Sequence, residues 1–307
     1  MVSVLSGFVV VFAVIAVGYL LGRTGVLGEG AGRSMGLFVY YVATPALLFD
    51  RVTHSSAQEL FSRNLLITGL STLLVGLSFA ALSFLALRRS RADSLVGMLC
   101  ASYANAGNLG IPLAAYVLGD AAAAIPLILF QVAFYAPVAT TVLDLLTSRN
   151  TSLLHNLVIS PLKNTMILSA IAGLVVLFTG LPVPSLVEQP ISLLAGAAVP
   201  VALVVFGMGL AGTRVLQKGE VARRDVWLAV LFKNILHPLV ALGVGTAFGL
   251  GGHALLTVVV IAALPTAQNV YTYALRFRTA ETMARDTGVV STLVSFPVLV
   301  LISVLLV

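Results

Sequence analysis

The sequence predicts an all-α polytopic membrane protein with ten transmembrane helices, arranged as two inverted repeats of five helices each. Three observations support this fold class: the composition, the number of long apolar stretches, and the similarity between the two halves of the chain. Hydrophobic residues make up 59% of the 307 residues and charged residues only 9%, against about 45–50% and about 25% in soluble proteins. The mean hydropathy is +1.08, so most of the chain is expected to lie in lipid.

Long apolar stretches occur ten times along the chain, and the connections between them are short. Each is about 20 residues long, the length that crosses a hydrocarbon core of roughly 30 Å. The predicted spans are 3–22, 34–50, 64–87, 94–117, 124–146, 157–180, 188–212, 225–250, 254–275 and 286–307. The first stretch has no basic segment ahead of it and no small-residue cleavage site, so it is predicted to be a retained helix and not a signal peptide.

Basic residues lie mostly in the predicted loops on one side of the membrane. On the other side are only Arg51 and Arg63. By the positive-inside rule the richer side is cytoplasmic, which places both termini outside the cell (plasma or inner) membrane. The residues on the richer side are Arg23, Arg33, Arg88, Arg89, Arg91, Arg149, Lys163, Arg214, Lys218, Arg223, Arg224, Arg276, Arg278 and Arg285. This orientation accounts for the net charge of +6, and no basic patch with interleaved aromatic residues indicates nucleic-acid binding.

The two halves of the chain match each other in order. The matched pairs are Gly18/Gly173, Gly25/Gly180, Pro45/Pro200, Ala101/Ala262, Ala106/Ala267, Asn108/Asn269 and Pro137/Pro297. Each half holds five spans, an odd number, so the second half must enter the membrane from the opposite side. The predicted repeats are residues 1–150 and 151–307.

Two apolar segments, 98–116 and 258–276, are each interrupted at mid-length by a polar run that contains glycine or proline. The runs are 105–112 and 264–269, at equivalent places in the two halves. A helix in lipid can be broken only where protein or a cavity satisfies the freed backbone groups. Paired breaks near the midplane are typical of secondary transporters, whose ligand site lies between them.

Three motifs carry a resemblance to a known family. They are Asn105-x-Gly107-x-x-Gly110-x-Pro112-Leu113 in the fourth span, Ala43-Thr44-Pro45-Ala46-Leu47 in the second and Ala263-Leu264-Pro265 in the ninth. With the ten-span length and the outside termini, the whole chain resembles the auxin efflux carrier family. That family includes plant auxin carriers and bacterial permeases for malate, malonate and related organic acids, and it is similar in fold to sodium/bile-acid symporters.

The resemblance implies that the fourth and ninth spans cross at their breaks and that the substrate binds beside the crossing. It also implies a scaffold domain from spans 1, 2, 5, 6, 7 and 10 and a transport domain from spans 3, 4, 8 and 9. The transport domain would expose the site to one side at a time, as an elevator, and the protein would form a homodimer. Plant members have a proline where this chain has Ala104, whereas Pro265 keeps the proline in the other half.

Residues at the two breaks form the predicted substrate site. A helix that restarts after a break presents unpaired N–H groups and a positive dipole end, which stabilise a carboxylate, and amide side chains add donors and acceptors. The substrate-binding candidates are Asn105, Gly107, Asn108, Pro265, Thr266, Gln268 and Asn269. The crossover or hinge candidates are Ala104, Gly110, Pro112, Pro45 and Pro200. Alternatively, the amides only cap the broken helix ends; for Asn105 the resemblance favours contact with the ligand.

The coupling ion is not evident from the sequence. All 11 acidic residues fall in predicted loops or near span ends, whereas proton relays commonly use intramembrane carboxylates. Lys233 and His237 share one face of the eighth span; they are candidates for coupling or for attracting the anion, and packing is the alternative. Coupling to protons, to sodium or to neither therefore stays open. Cys100 is the single cysteine, so it cannot form an internal disulfide, and no metal or cofactor is indicated.

Other functional classes are less compatible with these residues. An intramembrane enzyme would need a nucleophile with a base, paired acids or metal ligands at one depth, and the acids are peripheral. The predicted function is therefore a carrier of small organic anions such as malate, malonate or auxin-like acids, with the anion and membrane lipid as partners. A sodium-coupled symporter of the bile-acid type and a membrane receptor that does not transport its ligand are the alternatives.

Overall fold

The computed structural model describes residues 2–54, 56, 63–147, 165–211, 216 and 223–306, without the side chains of residues 2–8 and Ala133. Within these residues every regular element is a helix. Five helices are long and apolar enough to cross a membrane, and six shorter helices are also apolar. The all-helical, multi-pass membrane class is confirmed, while ten spans in an inverted repeat remain a prediction. The repeat boundary at residues 150 and 151 lies outside the described residues, as do Arg149, Lys163, Arg214 and Lys218.

Thirteen helices are numbered here in chain order. They are α1 Val2–Thr24, α2 Ala31–Thr53, α3 Arg63–Ala86, α4 Arg91–Ser102, α5 Ala106–Leu118, α6 Ala121–Phe130, α7 Ala136–Leu146, α8 Thr165–Thr179, α9 Ser185–Leu210, α10 Arg223–Ala247, α11 Gly252–Ala262, α12 Gln268–Phe277 and α13 Glu281–Leu306. A π-helical turn, Gln131–Tyr135, joins α6 to α7.

Prolines explain where several of these helices widen into π turns. A turn of this kind ends two residues before each of Pro45, Pro112, Pro137 and Pro238. Proline has no N–H, and its ring clashes with the carbonyl four residues earlier; a π turn relieves that clash without ending the helix. Pro200, by contrast, lies inside α9 with no such turn.

The helices pack into two groups. Helices α1, α2, α8 and α9 pack mainly on one another, and α3, α4, α10, α11, α12 and α13 form the second group. The linked pair α6 and α7 contacts α3 and α4. Helix α5 lies between the groups because it touches α1 and α9 of the first group and α11 of the second. The resemblance assigns the tenth span to the scaffold, yet α13 packs more extensively on α10, α11 and α12 than on α1.

The α1–α9 contact depends on glycines that bring the two backbones together. A Cβ at Gly207 would collide with the Ile15 carbonyl, and a Cβ at Gly18 would collide with the Val204 carbonyl. Small residues at such contacts let membrane helices approach closely. The group formed by α1, α2, α8 and α9 is therefore held by backbone proximity as well as by apolar side chains.

Gly207→Ala is expected to destabilise the protein because the colliding atoms belong to backbone and cannot rotate away. The expected loss is about 1–3 kcal/mol, the usual range for overpacking, and thermal unfolding in detergent measures it. Gly196→Ala on the same helix is the matched control, since a Cβ there has no neighbour within 4 Å. Equal melting temperatures for the two variants would contradict this account of the contact.

Candidate substrate site

The two breaks in the helices lie side by side and are hydrogen-bonded to each other. The chain between α4 and α5 runs antiparallel to the chain between α11 and α12, with a β-bridge between Ala104 and Thr266. The Asn105 N–H donates to the Pro265 carbonyl at 2.8 Å, and the Ala267 N–H donates to the Tyr103 carbonyl at 3.0 Å. Each break therefore satisfies backbone groups of the other, which lipid could not do.

A glutamine from the neighbouring π turn completes the pairing of the first break. The Gln131 side chain accepts from the Ala104 N–H at 2.7 Å and donates to the Ala104 carbonyl at 2.9 Å. Its amide takes the place of a third strand, so both edges of the extended segment are paired. Gln131 is 3% exposed, so water does not compete for these bonds.

Thr266 fixes the second break from two directions. Its hydroxyl donates to the Cys100 carbonyl at 2.6 Å, near the end of α4, and its N–H donates to the Ser291 hydroxyl at 3.0 Å, on α13. Pro265 contributes the carbonyl that accepts from Asn105. Thr266 and Pro265 therefore hold the two breaks together.

A cleft opens beside the paired breaks, between α2, α5, α6, α8 and the start of α12. Its volume is about 50 Å³. The side chains and backbone that line it are Tyr40, Tyr103, Ala104, Asn105, Ala106, Gly107, Asn108, Ile128, Gln131, Val132, Met166, Ala267 and Asn269. The described lining contains amides, two tyrosines and apolar groups, and no acidic side chain.

Two helices begin at this cleft. The residue before α5 is Asn105, the residue before α12 is Ala267, and neither side chain makes a capping hydrogen bond. The first N–H groups of a helix have no partner within it and carry the positive end of the dipole. The interpretation that Asn105 only caps its helix is therefore not supported, and the two helix starts offer donors to an anion.

The predicted site residues divide into two sets. Those that line the cleft are Ala104, Asn105, Gly107, Asn108 and Asn269. Those that lie elsewhere are Pro265, Thr266, Gln268, Gly110, Pro112, Pro45, Pro200, Lys233 and His237. Gln268 is exposed on α12, and Gly110 packs so closely on Leu264 that an added Cβ would lie 2.8 Å from its Cδ1 atom.

Sequence reasoning missed four polar or polarisable residues of the cleft: Tyr40, Tyr103, Gln131 and Met166. Gln131 could have been identified as a site candidate from the sequence, because it is an amide inside an otherwise apolar predicted span. Tyr103 lies two residues before the predicted break, and it stacks on Tyr135 with ring centroids 5.8 Å apart. Tyr40 and Met166 come from α2 and α8, and only the tertiary packing brings them here.

Comparison with known proteins places the chain among transporters. A family model described as "Membrane transport protein" matches residues 3–303. The chain belongs to the auxin efflux carrier family. Members of this family are membrane transporters, and the chain is therefore a transporter and not an enzyme.

Relatives in this auxin efflux carrier family have names that are consistent with transport. The chain is 29% identical over 302 residues to a protein of Rhizobium meliloti (strain 1021) named "Putative malonate transporter", covering 92% of this chain and 90% of the relative. It is 25% identical over 276 residues to "Uncharacterized transporter YfdV" of Escherichia coli (strain K12), covering 87% and 86%. The YfdV protein of Shigella flexneri matches to the same extent.

Proposed function

We propose that this carrier moves small carboxylates, with malonate-sized dicarboxylates foremost, across the cell membrane by alternating access. The observation that carries the proposal is the cleft at which two helix starts and the side chains of Asn105, Asn108 and Asn269 converge. Helix starts and amides bind a carboxylate without a full opposite charge. Binding of this kind is reversible, as a carrier requires.

The size and lining of the cleft favour a small acid over a steroid. On this measure of volume a water molecule needs about 10–15 Å³, so the cleft of about 50 Å³ has room for only a few water molecules. A small dicarboxylate needs a modest widening of such a cleft, whereas a bile acid needs a much larger site. The described lining also offers no carboxylate for sodium, which disfavours the sodium-coupled alternative.

The proposed transport cycle moves the group of helices that carries both breaks against the group formed by α1, α2, α8 and α9. Four cleft residues lie outside the moving group: Tyr40 and Met166 belong to the latter group, Ile128 to α6 and Val132 to the π turn that follows α6. A shift of the breaks relative to α2 and α8 would therefore open the cleft toward one side. The packing of α13 favours placing it with the moving group. The elevator movement, outside termini, lipid contacts and homodimer all belong to this proposal.

The test combines ligand stabilisation with uptake by purified protein. At a free concentration one hundred times Kd, a ligand stabilises by about 2.7 kcal/mol, so malonate, malate, succinate, acetate, indole-3-acetate and taurocholate can be ranked by thermal shift with and without sodium. We expect a shift with dicarboxylates that is independent of sodium, and uptake of labelled malonate into proteoliposomes. Binding without uptake would support the receptor alternative, and a sodium-dependent shift with taurocholate alone would contradict the proposal.

A further inference from the structure

Lys233 carries a buried amine that the proposed substrate site does not use. It is 0% exposed and lies in the π turn Phe232–Leu236 of α10. Its Nζ atom donates to the Ala262 carbonyl at 2.7 Å and lies 3.0 Å from Nδ1 of His237. Ala262 is the last residue of α11, where unpaired carbonyls form the negative end of the helix dipole and favour a cation.

Within the part of the chain that the structure describes, no carboxylate forms an ion pair with Lys233. Two carboxylates of the surrounding helices pair with arginines instead: Asp225 with Arg89 at 2.8 Å, and Asp286 with Arg285 at 2.9 Å. The other titratable or charged residues on α3, α4, α10, α11 and α13 are Arg63, Arg91, Asp93, Cys100, Arg223, Arg224, His253 and Glu281. An ammonium buried without a carboxylate costs several kcal/mol of desolvation, so this site holds a proton only when something favours the positive charge.

His237 gives the proton a second place to bind. For Lys233 to donate to Nδ1, the His237 ring must be neutral, with its proton on Nε2 facing the Thr72 hydroxyl at 3.4 Å. His237 is 1% exposed. The two side chains thus form a pair of proton acceptors within the membrane-embedded part of the protein.

A second buried polar side chain, Asn234, lies in the same π turn as Lys233. Asn234 is 0% exposed, and neither its Oδ1 nor its Nδ2 atom has a hydrogen-bond partner among the described residues. Buried amides of this kind are normally satisfied by water. A water molecule bound to Asn234 would bring water into the same buried π turn that holds Lys233.

We propose that the Lys233–His237 pair binds the proton that is co-transported with the organic acid, so that the carrier is a proton symporter. When the cleft takes up a carboxylate, a proton adds to the Nζ lone pair of Lys233, and the same proton leaves as the acid is released on the other side. The two sites communicate because Ala262 ends α11 and the unwound segment that follows it, residues 263–267, ends at the cleft residue Ala267. A positive charge at the end of α11 favours an anion nearby. This inference rests on the proposed function.

The protonation of Lys233 can be observed without any transport measurement. The chain has only three lysines, Lys163, Lys218 and Lys233, so protein labelled with 13C at lysine Cε gives few NMR signals, and Lys233→Met assigns one of them. We expect the Lys233 signal to move from its amine toward its ammonium position when malonate is added at a fixed pH. A signal fixed at either position, with and without malonate, would overturn the inference.

Transport provides the second measurement. In sodium-free proteoliposomes, an inward gradient of one pH unit should raise malonate accumulation by up to about tenfold for each coupled proton. Lys233→Met should abolish this gradient effect while malonate–malonate exchange continues, and Lys218→Met, the same change in a predicted loop, should behave as wild type. Wild-type uptake that does not depend on the pH gradient would overturn the inference and leave the proposed function intact. Absence of uptake for every acid would instead contradict the proposed function, and the NMR titration would still decide the protonation of Lys233.

Discussion

Asn105→Ala is expected to lower the affinity for malonate by about 10- to 100-fold while the protein stays folded. The side chain lines the cleft at 4% exposure, and a hydrogen bond to a charged group is worth about 1.5–3 kcal/mol. The backbone of residue 105 keeps its bonds, because its N–H donates to Pro265 and its carbonyl accepts from Leu109 and Gly110. Alanine retains all of these groups.

The measurement is the malonate Kd from thermal shift, together with the melting temperature of the protein without ligand. Asn64→Ala is the matched control, because Asn64 lies on α3 and does not line the cleft. If Asn105→Ala bound malonate with the affinity of the wild type, Asn105 would not belong to the malonate site. A large fall in the melting temperature without ligand would show instead that the side chain supports the crossing.

Gln131→Leu is expected to lower both the stability of the protein and its uptake of malonate. Leucine fills a similar volume but leaves the Ala104 N–H unpaired in a buried position, while the Ala104 carbonyl loses one of its two donors and keeps the Ala106 N–H. An unpaired buried group costs about 1–3 kcal/mol and a lost hydrogen bond about 0.5–1.5 kcal/mol, so the expected loss is roughly 1.5–4.5 kcal/mol, large for a single substitution. The extended segment before Asn105 should also lose its fixed position, so uptake should fall even where folded protein remains.

Thermal unfolding and malonate uptake by the folded fraction measure these two effects. Gln189→Leu makes the same chemical change at an exposed position of α9 and should leave both properties close to wild type. A Gln131→Leu protein with the stability of Gln189→Leu would mean that water or a shifted backbone replaces the amide at Ala104.

The sequence located the broken helices but not the exact unwound residues. The predicted breaks, 105–112 and 264–269, overlap the observed segments 103–105 and 263–267. The prediction places the first break in a polar run that contains glycine and proline, yet Gly107 and Gly110 lie inside α5, where the π turn Ala106–Gly110 accommodates them. The extended segment begins at Tyr103 because side-chain and backbone partners from elsewhere in the fold are available there, and local propensity does not encode such partners.

The candidate site was predictable to a similar extent. Its amides, Asn105, Asn108 and Asn269, stand out because polar side chains are rare within apolar spans. The cleft walls from α2 and α8 were not predictable, because their contribution depends on how distant helices pack. The exact role of Thr266 was likewise hidden, since its partners Cys100 and Ser291 are distant in sequence.

The π turn at Gln131–Tyr135 also bears on the history of the chain. In the predicted pairing of the two halves, Asn108 and Asn269 are 161 residues apart, whereas Pro137 and Pro297 are 160 apart, so the first half is one residue longer between these points. A π turn holds one residue more than the α-helical turn it replaces, and Pro297 lies in α13, which is continuous from Glu281 to Leu306. Two π turns of the first half, Ala114–Leu118 and Gln131–Tyr135, lie in this interval, and an inserted residue in either would account for the offset. An insertion in the second of them would also bring the amide of Gln131 opposite Ala104, so that one mutational step would make the crossing of the predicted repeats asymmetric.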